Sequence, residues 1–179
     1  MISGRTSSTR GHLRRATGQI HAELHELPML RALWSDAITG DQYKRALIVF
    51  QSIFRSIEDE RLRYRKWAEF SLKSECSALL KDLGPGETCD MRITFHCENA
   101  LLGGLYVAHG AAFGRAVFCQ TVRTSLPASL QAFASLPISA ERWQSLLTCL
   151  ERKGRHPKAR AQIVGGAKLT FSSVLRMAS

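Results

Sequence analysis

The chain has 179 residues, 45% of them hydrophobic and 22% charged, which fits one domain able to bury its own core. No uninterrupted apolar run reaches the ~18–20 residues of a membrane span, and no apolar stretch follows the basic start MISGRTSSTRGHLRR, so neither a span nor a secretory leader is expected. The net charge of +10 favours an acidic partner, whether nucleic acid, anionic membrane surface, acidic protein or carboxylated ligand; a merely basic solvated surface is the plainer alternative.

In chain order the pattern is helical nearly throughout. Residues 1–8 read as a flexible basic arm, and residues 9–179 as the folded domain. Ser8 or Thr9 is placed to cap a first helix, in which Leu13, Ala16, Thr17, Ile20, Leu24 and Leu27 recur at helical spacing until Pro28 ends it. MLRALWSDAI predicts a short helix. Thr39-Gly-Asp-Gln42 is a capping box opening a long helix with Tyr43, Leu47, Phe50, Phe54 and Ile57 on one stripe. Its charged end, EDERLRYRKWAEF, suggests a break near Glu60 and a further short helix.

Gly84, Pro85 and Gly86 mark a loop. From about Met91 to Arg123 runs a long apolar segment that contains GGLYVAHGAAFGR (Gly103–Arg115). Pro127 and Pro137 bracket a short helix. Ser139 caps the next, which stops at Gly154, and a last helix places Ile163, Ala167, Phe171 and Leu175 in register. The expectation is an all-α fold of seven to nine helices of uneven length.

Five cysteines, an odd number with no CxxC, point to reduced thiols and a cytoplasmic location, and no Cys or His pair has zinc-finger spacing. His21 falls on the Leu13, Thr17 and Leu24 side of the first helix; it reads either as a satisfied core histidine or as a ligand. His25, one turn on, is placed to hold its second ring nitrogen or to pair with it on a divalent metal. The glycine segment is neither a P-loop nor GxGxxG. Gly110-x-x-x-Gly114 bares one helix face, for a tight helix contact or for something flat. The run Arg152–Arg160 reads as a solvated basic loop or a phosphate or propionate contact, and lacks the aromatic interleaving of single-strand binders.

Taken together, LRRATGQIHAEL, the later GGLYVAHGAAFGRAVF and the closing AKLTF resemble the haem oxygenases, in particular the bacterial group associated with bacteriophytochromes. The resemblance covers about Leu13 to Phe171. It implies a single-domain helical fold with haem between a proximal helix and a kinked distal helix. His21 matches the proximal ligand of the haem iron. Gly110 and Gly114 match the distal glycines, and Arg14 the basic residue near a propionate. Thr17, Tyr106 and Phe113 are further implied haem contacts.

The implied reaction opens haem, at once cofactor and substrate, with O2 and electrons from an external donor, giving biliverdin, CO and ferrous iron. An acidic ferredoxin, flavodoxin or reductase would suit the basic chain as donor, and a bacteriophytochrome would receive the biliverdin. No nucleic acid is implied. The sequence departs from the family pattern at His25, where an acid is usual, at His109, at Ala111, where a polar residue is usual, and at Arg115, where a second glycine is usual. His109 lies about 100° around the helix from Gly110, beside the bare face rather than on it. A haem-binding relative with little turnover, acting as sensor or carrier, and a basic helical interaction protein without haem are the alternatives.

Overall fold

A computed structural model describes residues 8–86 and 91–179. Residues 1–7 of the arm expected over residues 1–8, and Cys89, lie outside the described residues, while Ser8 belongs to the α1 cap. Among the described residues seven α-helices follow one another: α1 (Thr9–Glu26), α2 (Pro28–Arg31), α3 (Gly40–Tyr64), α4 (Lys73–Leu83), α5 (Glu98–Ser125), α6 (Ala140–Lys153) and α7 (Pro157–Ala178). Three single 3₁₀ turns, Ala32–Trp34, Ala68–Phe70 and Ala128–Leu130, link them. The fold is all-α, as the periodicity implies.

The helix ends follow local chemistry. Ser8 caps α1, its hydroxyl accepting from Gly11 N–H at 3.0 Å. The Glu151 carboxylate takes the Thr9 and Arg10 amides at 2.9 and 3.0 Å, placing a negative charge at the helix's positive end. Thr39 and Gln42 form the expected reciprocal box on α3, and Ser139 caps α6.

Four boundaries differ from the sequence reading, one of them the 127–137 segment, where the expected short helix is a single 3₁₀ turn, Ala128–Leu130. The 28–38 segment is one α turn followed by a 3₁₀ turn. The α3 helix does not break at Glu60 but runs to Tyr64 and ends on left-handed Arg65. Glu60 is buried: its carboxylate holds Arg63 at 2.7 and 2.9 Å and the Phe95 amide at 2.9 Å, so its charge is used inside the helix rather than ending it. The 91–97 stretch, read as the start of the apolar helix, precedes α5, which begins at Glu98.

The α5 helix is central. By length and composition it could cross a membrane, a qualification of the run-length argument. Half of its most apolar stretch is buried inside the protein, however, as for a core helix. Its most extensive interface is with α7. A Cβ on Gly103 would overlap the Ile163 carbonyl, one on Gly166 the Ala100 carbonyl, and one on Gly104 the Phe95 ring. The two helices thus cross backbone on backbone, which only bare positions allow. The α7 helix also packs along α1, so it carries α1 and α5 side by side.

Gly103→Ala is expected to lower stability by about 1–3 kcal/mol through overpacking. Gly165→Ala, one residue from the crossing in sequence and with open space around it, is expected to gain up to about 1 kcal/mol. Urea melts of the two variants beside the wild type check both signs.

Candidate functional site

Between α1 and α5 lies a cleft of about 750 Å³, floored by α3 and α7 and closed at one side by α6, a size usual for small-molecule sites. It gathers most of the residues that the sequence singles out: Arg14, Thr17 and His21 from α1, and Tyr106, Gly110, Phe113 and Gly114 from α5. The α5 residues recur at helical spacing, so one face of that helix forms a wall.

On α1, each four-residue step turns the side chain by about 40°. Leu13 is fully buried and Thr17 is 4% exposed, its hydroxyl donating to the Leu13 carbonyl at 2.8 Å. One more step brings His21 out of the core, so it is not the core histidine that its spacing also allowed. It lines the cleft. The His25 ring meets it edge-on at 4.7 Å and the Phe171 ring at 5.6 Å. The two histidines make no hydrogen bond to each other, so His25 does not hold the second nitrogen of His21. Burial, helped by repulsion from His25, pushes the His21 pKa below its ordinary 6.5. The imidazole is therefore neutral at pH 7 and offers a lone pair. Among the described residues no group of three or more His, Cys, Asp and Glu forms a metal cluster.

The glycines of α5 divide into two kinds. Gly103 and Gly104 are consumed by packing. At Gly114 a Cβ would meet nothing within 4 Å, and at Gly110 only the edge of Trp143 at 3.8 Å. Protein packing does not require glycine at either position, and both open on the cleft. A mid-helix glycine costs about 1 kcal/mol relative to alanine, so the chain forgoes stability there to keep the wall bare.

Arg14 and, one turn earlier, Arg10 line the cleft, near enough to Tyr106 to act on its phenol, whose pKa burial raises. Arg115, anomalous in sequence, is 2% exposed. Its guanidinium donates to the Leu136 carbonyl at 3.2 Å and lies over the Phe133 ring. Ala111 lines the cleft without a polar group. His109 does not line it: the ring turns to the other side of α5 and donates from Nε2 to the Phe70 carbonyl at 3.0 Å. The Arg152–Arg160 run lies at the α6–α7 turn, outside the cleft.

Sequence reasoning missed Arg10, Gly18, Trp34, Trp143 and Phe171, all of which line the cleft. Arg10 was within reach, four residues before Arg14 on the same face. Trp143, which stacks on Tyr106 and meets Phe113 edge-on, both at 5.4 Å, arrives from α6 and has no local signal.

Gly114→Ala is expected to stabilise the ligand-free protein by about 0.5–1 kcal/mol, since it adds helix propensity and meets no atom. A thermal melt of the variant reads this directly.

No family model matches the chain, and no curated protein is similar to it in sequence. Solved structures are similar in fold. Haem oxygenase from Leptospira interrogans superposes with a TM-score of 0.74 at 19% identity, covering 96% of this chain and 98% of that one. Haem oxygenase-1 from the cyanobacterium Synechocystis sp. PCC6803, in complex with haem, gives 0.75 at 12% identity, covering 96% and 90%. The NO- and CO-bound haem oxygenase from Neisseria meningitidis gives 0.73 at 17% identity, with the same coverage. With its order of seven helices and its cleft between α1 and α5, the chain has the haem oxygenase fold.

Proposed function

We propose that the protein is a haem oxygenase, opening haem with O2 and externally supplied electrons to biliverdin, CO and ferrous iron. The observation that carries this reading is the pairing of a neutral His21 on one wall of the cleft with Gly110 and Gly114 on another, bare for no packing reason. The residues fit the group. The cleft is lined mainly by apolar and aromatic side chains, with Arg10 and Arg14 together beside Tyr106, which suits a flat macrocycle bearing carboxylates at one edge.

Bound haem would supply the iron at which O2 is activated. His21 would hold that iron by its lone pair. Arg10 and Arg14 would orient the macrocycle through its carboxylates. The bare Gly110 and Gly114 face would let backbone, not side chains, bound that side of the cleft and limit the room left beside a bound macrocycle. Trp143, Tyr106, Phe113 and Phe171 exclude water from the faces. The +10 chain suits an acidic ferredoxin, flavodoxin or reductase as electron donor. Four free cysteines among the described residues suit a reducing cytoplasm, and a bacteriophytochrome is the proposed receiver of biliverdin. Ala111, which lines the cleft without a polar group, favours a second reading, a haem-binding relative with little turnover.

Hemin added to the purified protein is expected to give a Soret band that His21→Ala shifts or abolishes. Reductant and O2 should then convert it to biliverdin. A Soret band without conversion supports the second reading, and no His21-dependent band removes both. Gly114→Leu is expected to keep hemin uptake and lose turnover.

Proton and iron compete for the same nitrogen, and the His21 pKa lies below 6.5. Hemin affinity should therefore be level above about pH 6.5 and fall as pH drops through the lowered pKa. Hemin titrations across pH 5–8 check this.

A further inference from the structure

We propose that Glu75 and a small chamber on the far side of α5 hold the water that brings protons to the cleft, an assignment that rests on the haem oxygenase reading. The chamber has about 220 Å³, and its polar lining is Ser74, Glu75, His109, Arg115, Ser139 and Arg142. Phe113, Arg115 and Trp143 line both chamber and cleft, so one layer of side chains divides them.

Glu75 Oε1 stands 3.7 Å from the Arg142 guanidinium, while Oε2 is buried with no hydrogen-bond partner. His109 commits its Nε2 proton to the Phe70 carbonyl, which leaves Nδ1 as an acceptor. Glu75 Oε2 lacks a donor, and a buried acceptor is costly to leave unmatched. An anion brings no donor, whereas water does. Water takes about 30 Å³ in the liquid, so the chamber has room for several molecules, and exposed Ser74 and Ser139 lie at its rim.

Arg115 forms the dividing wall. It pairs with no carboxylate among the described residues, and its guanidinium is fixed by the Leu136 and Pro137 carbonyls. An arginine does not give up its proton, so it orients water and favours negative charge on the cleft side. Water entering at Ser74 delivers a proton to the Glu75 carboxylate at Oε2, which hands it to the next water, and it passes from water to water beside Arg115. Nothing is oxidised or reduced, and the carboxyl ends as it began. Ala111 brings no polar group to the cleft, so this route supplies what the α5 wall lacks. The charged and titratable groups around Glu75 are Arg142 of α6, His109 and Arg115 of α5, and Cys76 of its own helix, with Glu58 of α3 acting on both His109 and Cys76.

The test compares wild type, Glu75→Gln and Glu75→Ala, each loaded with hemin and driven by reductant and O2. Expected for Glu75→Gln are unchanged hemin affinity and Soret position, conversion at least tenfold slower at pH 7, and a larger solvent deuterium isotope effect. Formate is expected to restore conversion in Glu75→Ala and to leave the wild type unaffected, a rescue that a merely structural role would not give. A crystal of the ligand-free protein is expected to show ordered water on Glu75 Oε2. Wild-type conversion by Glu75→Gln, or a chamber without water in that crystal, overturns the proposal. If the wild type binds hemin and converts none, the haem oxygenase reading falls and takes proton delivery with it, while the crystal still decides whether Glu75 holds water.

Discussion

Backbone lies on backbone where α5 crosses α7. Gly103 and Gly166 bare the two helices to each other, so the Ile163 and Ala100 carbonyls occupy space that a Cβ would fill, while Gly104 makes room for the Phe95 ring. Because α7 also packs along α1, this close crossing sets the position of α5 relative to α1. The cleft is the gap that remains. Its shape thus follows from a packing constraint some residues away from the chemistry, since close-packed interiors transmit displacement rather than absorb it.

One helix therefore uses the same residue type for two purposes. At its N-terminal half glycine brings α7 close; at Gly110 and Gly114 it keeps protein away from a space. The distinction lies in what a methyl group would meet: backbone or a ring at Gly103 and Gly104, and little or nothing at Gly110 and Gly114. His109, on the same helix, turns from the bare face toward the second chamber, while Arg115 lies between the two cavities and lines both. The loop that receives His109 is itself fixed: the Glu58 carboxylate takes the Leu72 amide at 2.9 Å and the Ser71 hydroxyl at 2.8 Å, just beyond the Phe70 carbonyl.

Much of this was legible in the sequence. Helix starts were marked by short-range chemistry, at Ser8, Thr39 with Gln42, and Ser139. Spacing alone left His21 and the Gly110–Gly114 face each open to a packing role; their pairing was implied by the family resemblance. Other features were not. Glu60 looked like a helix-ending charge because its partner, the Phe95 amide, is 35 residues away. His21 looked core-facing because four-residue steps drift around the helix, and only packing shows where the core stops. Gly103 and Gly104 could not be told from Gly110 and Gly114 without α7. Trp143, Phe171 and the Glu75 chamber are products of tertiary assembly and leave no periodic trace.

The central claim is that the α1–α5 cleft seats haem between His21 and the bare α5 face. A crystal structure of the hemin complex tests it most directly. The account predicts iron bonded to His21, Gly110 and Gly114 against the other side of the macrocycle, and the carboxylates toward Arg10 and Arg14. Iron held by His25, His109 or another residue, or hemin bound outside this cleft, would contradict it.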